Sequence, residues 1–267
     1  MNKILNDVQN QSDSRNIDID QVGVTSVRMP IIVMDKVNTK QHTIGDISMS
    51  VSLLSNYKGT HMSRFLEVFN NHSNEINMYS MPKILSDLKQ KLNALKAQIS
   101  IKFPYFIKKK APVSNIESYM DYNCCFWGES TVDGDDFTLE TQIPVTSVCP
   151  CSKAISDYGA HNQRGIIDIK IRTIKQEDGK FALFWIEELI DIAESSGSAP
   201  VYSLLKRPDE RHVTMQAYDN PVFVEDIVRN VAVKLRDDPR ITWFCVNVEN
   251  QESIHNHNAF AKIEWSR

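Results

Sequence analysis

Residues 144–165 read PVTSVCPCSKAISDYGAHNQRG, and how this stretch is read decides the architecture of the second half of the chain. Pro150, between Cys149 and Cys151, argues against a continuous helix, because proline removes a backbone donor and clashes with the preceding turn. As a loop, the stretch joins two strand-like runs, Phe137–Val145 and Ile166–Thr173. Outward from there, Phe184–Ala193 (FWIEELIDIA) has helical periodicity, and a Ser/Gly/Pro-bearing loop follows. Asn220 and Pro221 introduce a second helix, Val222–Arg236, with proline near its first turn. Ile241–Glu249 and Phe260–Trp265 close the chain as strands.

The first half repeats that order. Val22–Asp35 and Gln41–Leu54 read as strands, the second by clear alternation. A helix is expected from about Met62 to Asn71. Met81–Ile99 is the strongest amphipathic pattern, with Ile84, Leu85, Leu88, Leu92, Leu95 and Ile99 on one face. Ile99–Lys108 and Glu117–Trp127 follow as strands. The pattern predicts an α+β protein with a polar arm at residues 1–20 and two ββααββ-like units, at 21–133 and 134–267. Each unit is an antiparallel sheet with helices on one face. Sheets of this kind carry open edges, and covering them with other subunits prevents aggregation, so a homo-oligomer is expected.

Composition excludes several classes. The chain has 267 residues, enough for a sizeable core, and its formal charge of −4 gives no basic field for nucleic acid or an anionic membrane. No apolar run reaches membrane-spanning length, and the polar N-terminus does not read as a secretory signal. Five cysteines, an odd number, point to a reducing compartment, so a cytoplasmic location is expected.

The chemistry gathers in loops. Thiolate and imidazole, here Cys149, Cys151 and His161, are ligands for zinc or ferrous iron. The stretch lacks a second cysteine pair, so either a remote carboxylate or histidine completes a site, or the loop is buried with two inert thiols. Lys206–Arg211, KRPDER, contains Glu210 and reads equally as a solvated charged turn. Glu225 falls in the first turns of a helix, where a carboxylate also complements the helix dipole. Glu249–His257, ENQESIHNH, puts Glu252, His255 and His257 between the last two strands, and His255 is suited to moving protons near neutral pH. Lys58–Arg64, KGTHMSR, opens a helix with cations that suit a phosphate.

Together these strings resemble the type IB GTP cyclohydrolase I family. The matching pieces are DVQN at 7–10, KGTHMSRF, PVTSVCPCSKAISDYGAHNQRG, LLKRPDE, NPVFVEDIVR and VENQESIHNHNAFA, and they span nearly the whole chain. Met215 and Ala199 stand where the family often has an acidic residue and a cysteine. The resemblance implies the tunnelling fold with two units per chain, assembled as a homotetramer with shared active sites. It implies hydrolysis of GTP to 7,8-dihydroneopterin triphosphate and formate, the first step of folate and pterin synthesis. It implies one divalent metal per site (zinc, manganese or iron) held by Cys149, His161 and Glu210, with water in the fourth position. Glu225 is implied as the guanine anchor, and Glu252 and His255, with Cys149, at the reacting centre. Lys58, Arg64, Lys153, Arg164 and Lys206 are candidates for the triphosphate. Two other readings are carried: a tunnelling-fold relative acting on another purine or pterin or ending at a cyclic phosphate, and a non-catalytic oligomer that binds a nucleotide or metal.

Overall fold

The computed structural model describes residues 7–9, 11–72 and 75–267. Of the expected arm, residues 1–6 and Asn10 of the DVQN string lie outside the described residues. The chain divides into two compact units: residues 1–103 with 125–138, and residues 104–124 with 139–267.

In the first unit, β1 (Ile19–Asp35) and β2 (Thr39–Leu53) form an antiparallel hairpin. Asp35 sets its turn, its carboxylate accepting from the backbone N–H of Val37 at 2.9 Å and of Asn38 at 2.6 Å. Alternation in β2 buries Ile47, Met49, Val51 and Leu53 on one face. β3 (Ala97–Lys110), of which residues 97–103 belong to this unit, pairs antiparallel with β2, and β4 (Glu117–Ser130), of which residues 125–130 belong to it, follows in the chain. Helices α1 (Ser63–His72) and α2 (Met81–Leu92) pack on each other, and α2 packs on β2. Helix α2 buries Met81, Ile84, Leu85, Leu88 and Leu92, each fully buried aliphatic side chain contributing about 1.5–3 kcal/mol.

The helix expected to reach Ile99 stops at Leu92. Asn93, at φ 52°, takes the left-handed conformation and ends α2. Leu95 is therefore 55% exposed in the connection, and Ile99 is buried on β3 instead of on the helix. The apolar spacing ran on because a strand entering the same core happened to continue the helical phase.

The second unit contains β5 (Asp135–Val148), of which residues 139–148 belong to it, and then α3 (Pro150–Ile155) and β6 (Asn162–Thr173). It continues with α4 (Ile186–Glu194), the two-residue β7 (Ala199–Pro200), α5 (Arg207–Asp219), α6 (Val224–Asp237), β8 (Ile241–Gln251) and β9 (Ala259–Ser266). All pairings are antiparallel: β5 with β6 and β7, β6 with β8, and β8 with β9. Ile167, Ile169, Ile171, Phe244, Val246 and Val248 are buried, as are Leu189, Ile227, Val231 and Leu235 of the helices.

Two helices were not expected. Within the central loop, Pro150 begins the short α3, because proline at the first helical position gives up only a donor that has no intrahelical partner anyway. The KRPDER stretch is no turn: it opens the 13-residue α5, with proline again in the first turn. Only Asp209 and Ala217 are buried along α5, so it lacks the apolar stripe by which helices are recognised.

Candidate active site

Strand register assembles this region. Val148, the last residue of β5, pairs with Asn162, the first of β6, so Cys149 and His161 leave the sheet side by side. Arg164 of β6 pairs with Gln251, the last residue of β8, which brings Glu252 to the same end. Three strand ends thus deliver residues that are over a hundred positions apart in sequence.

The loop from Cys149 to His161 is closed by its own backbone. The Cys149 N–H donates to the His161 carbonyl at 3.2 Å, and the His161 N–H donates to Ser152 Oγ at 3.2 Å. The Ser152 N–H donates to Cys149 Sγ at 3.4 Å, so the sulfur caps α3. Gly159, at φ +68°, turns the chain back through a conformation that disfavours other residues. The loop is not buried: Cys149 is half-exposed and Cys151 exposed, while Cys124, Cys125 and Cys245 are buried.

A polar chain starts at the His161 ring. His161 Nδ1 is 2.9 Å from Gln163 Oε1, and Gln163 Nε2 donates to Glu252 Oε1 at 3.4 Å. Glu252 Oε2 is also 4.0 Å from His161 Nδ1. The His255 ring stands edge-on to that of His161, 6.4 Å between centroids, and stacks on His257. A second polar chain runs beneath: Asn250 Nδ2 donates to Ser147 Oγ at 3.2 Å, and Ser147 Oγ donates to the Val222 carbonyl at 3.2 Å. It ties the approaches to Glu252, Cys149 and Glu225. Gly165 is required there, since a Cβ would sit 2.7 Å from Asn250 Oδ1.

Helix α5 is seated by its N-terminus. Asp209, fully buried, accepts from the N–H groups of Val113 and Ser114 at 2.8 Å, from Ser114 Oγ at 2.6 Å and from the Lys206 N–H at 2.9 Å. Burial pushes its carboxyl up, but the bonds from Ser114, Lys206 and Val113 outweigh this and hold it below the usual aspartate range. One turn further on, Ala217 and Val213 pack with Val148 and Ala160, the chain neighbours of Cys149 and His161. Glu210 lies three and seven positions before Val213 and Ala217, on that same helical stripe.

The expected residues thus divide. Cys149, His161, Glu252 and His255 share one neighbourhood. Glu210 and Glu225 are exposed in the first turns of α5 and α6, on elements tethered to that neighbourhood, with no direct bond to it. Lys153 donates to the Tyr218 carbonyl at 2.5 Å and lies over the Tyr218 ring. Arg164 and Lys206 are exposed, and Lys58 and Arg64 belong to the first unit. Among the described residues, no three His, Cys, Asp or Glu side chains are gathered as a metal-binding group. The donor chemistry nonetheless fits a borderline-soft cation, with Cys149 and His161 joined through a backbone hydrogen bond. Gln163 and Asp209 were missed in the sequence. Both carried a signal: an amide in the core-facing phase of an isoleucine-rich strand, and an Asp at the third position of a proline-marked helix.

Known proteins are similar to this chain in sequence. The family model described as type I GTP cyclohydrolase folE2 matches residues 5–261. GTP cyclohydrolase FolE2 of Thermosipho melanesiensis is 51% identical over 97% of this chain and 98% of its own length. That of Syntrophotalea carbinolica is 51% identical over 98% and 95%. Among solved structures, uricase from Arthrobacter globiformis matches 93% of each chain with a TM-score of 0.52 at 9% identity. Urate oxidase from Bacillus sp. TB-90 covers 93% of this chain and all of its own, with a TM-score of 0.55 at 9% identity. That likeness bears on fold alone, and it agrees with the tandem tunnelling fold expected above.

Proposed function

The chain belongs to the type I GTP cyclohydrolase folE2 family, and from that premise we infer that it converts GTP and water to 7,8-dihydroneopterin triphosphate and formate, opening folate and pterin synthesis. The observation that carries the site assignment is the chain from His161 through Gln163 to Glu252, with His255 edge-on to His161 and Cys149 hydrogen-bonded to the His161 backbone.

Members of the family are metal-dependent. Cys149, His161 and Glu210 would hold the ion here, and zinc, manganese and iron all suit such a set. When bound, a metal with an open position supplies a water acidified to a pKa of about 7 and a Lewis acid for hydrolysis. The protein's own groups do the rest. Glu225 accepts two hydrogen bonds from guanine, at N1–H and the exocyclic amine. Adenine lacks that donor pair and would leave a carboxylate unpaired, which excludes it. His255 and Glu252 move protons to and from the ring nitrogens as the imidazole ring opens and C8 leaves as formate. A histidine is suited to this near neutral pH. Lys153, Arg164 and Lys206 meet the triphosphate, Lys153 after leaving its present partner. Lys58 and Arg64 would do so for the site of a neighbouring subunit in a homotetramer. Among the described residues no helix is long and apolar enough to cross a membrane, and the odd number of cysteines, five, suits a reducing, cytoplasmic compartment.

The test is turnover by anaerobically purified protein. GTP should yield formate and a triphosphorylated pterin that fluoresces after oxidation. Chelation should abolish the reaction, and single divalent metals should restore it. GTP left intact with every metal, or a cyclic phosphate product, would contradict the assignment.

A further inference from the structure

Along β6 the alternate residues Gln163, Gly165, Ile167, Ile169 and Ile171 are buried. Gln163 therefore occupies a position that the strand otherwise gives to core residues, and it is 8% exposed. Burying a primary amide there is costly unless both of its ends are bonded. They are: Oε1 lies 2.9 Å from His161 Nδ1, and Nε2 donates to Glu252 Oε1 at 3.4 Å.

The direction of this chain follows from donor and acceptor chemistry. An ionised Glu252 carboxylate only accepts, so the amide nitrogen of Gln163 must face it. The amide oxygen then faces His161 and only accepts, so the proton of a neutral imidazole must sit on Nδ1. That leaves Nε2 of His161 with its lone pair free. An imidazole whose Nδ1–H is held by an oxygen acceptor is oriented to ligate through Nε2.

We propose that Gln163 is a positioning residue with two separable tasks: its oxygen fixes the His161 tautomer for metal ligation, and its N–H holds Glu252 in place for proton transfer. The proposal rests on the reading above, in which His161 is a metal ligand. It adds a residue that links the ligand shell to the proton-transfer pair through one side chain.

Two substitutions separate the tasks. Gln163→Leu removes both ends. Metal affinity, measured on the full-length protein by competition with a chromogenic chelator, should fall about 10–100-fold, as for loss of an outer partner of a ligating histidine. Gln163→Glu keeps an oxygen acceptor for Nδ1–H but puts a like charge against Glu252. Its metal affinity should stay within a few-fold of the parent, while kcat of the metal-loaded enzyme falls at least 10-fold with KM little changed. Nitrogen-15 shifts of His161 in the metal-free protein should report the Nδ1–H form in the parent and in Gln163→Glu, and a mixture in Gln163→Leu. Because Gln163→Glu is nearly isosteric, it tests the proposal even if the leucine variant fails to fold. Equal loss of metal in both variants, or parental affinity and tautomer in Gln163→Leu, would overturn it. His161→Ala is the control for the underlying reading. If that variant keeps the metal, His161 is no ligand and the proposal falls with it; if it loses the metal and Gln163→Leu does not, the proposal alone fails.

Discussion

Helices α2 and α5 are nearly the same length, 12 and 13 residues, and are held in opposite ways. Helix α2 is fixed along its whole length by five apolar side chains. Helix α5 is fixed at one end by a buried carboxylate and further on by Ala217 with Val213. A stripe of large apolar residues makes a helix stable and legible but leaves its inner face nothing to do except pack. A helix pinned at its N-terminus by Asp209 can keep Glu210, the next residue, exposed and available. Stability and chemistry have been given to different helices, and the helix with the weaker core carries the proposed ligand.

The sharpest separation should come from Glu210→Ala. We expect turnover to drop on the order of 10³-fold or more, as when one member of a cooperating catalytic set is removed. Because the side chain is exposed, the melting temperature of the metal-free protein should hardly move. A variant that keeps both metal and turnover would break the contrast at its functional end. Leu88→Ala on α2 should do the reverse. It should cost about 2–5 kcal/mol in urea unfolding, with kcat of the remaining folded enzyme unchanged. Loss of kcat there would mean that the scaffold and the site are not separable.

Asp209→Ala tests what seats α5. Metal affinity should fall by about 10–100-fold, in the range for an outer residue that orients a ligand. Amide exchange should quicken over 207–219 while 81–92 stays protected. Uniform exchange across both helices would show that Asp209 supports the fold at large and not α5 in particular. The smallest effect is on pH. Asp209 has its carboxyl held below the ordinary range, so its contribution is complete above the unfolded aspartate value of about 3.9 and fades only as pH falls toward the lower folded one. Protection of α5 should therefore be flat from pH 7 to 5 and decline in acid, and the Asp209→Asn variant should lack that acid limb. A decline already present at pH 6 would point to another group.

The same contrast explains what could be read from sequence. Strands such as β2 and β6, and helices α2 and α6, bury a regular face, and regularity is what a pattern records. Helix α5 has almost no buried face to record, and α3 is a turn and a half begun by the same proline that argued against a helix. The end of α2 was misplaced because Asn93 is a weaker stop signal than glycine. The site divides likewise. Cys149 and His161 lie twelve residues apart and stand out by type, whereas Gln163 and Asp209 are visible only once strand phase and helix position are known. The ligand role of Glu210 entered through family resemblance, since its own neighbours read as a charged turn.

X-ray absorption at the zinc edge of the anaerobically reconstituted enzyme tests the centre of this account most directly. One sulfur at about 2.3 Å with nitrogen and oxygen neighbours at about 2.0–2.2 Å is expected, with the sulfur gone in Cys149→Ala and one nitrogen gone in His161→Ala. A parent spectrum without sulfur, or a sulfur shell that survives Cys149→Ala, would contradict it.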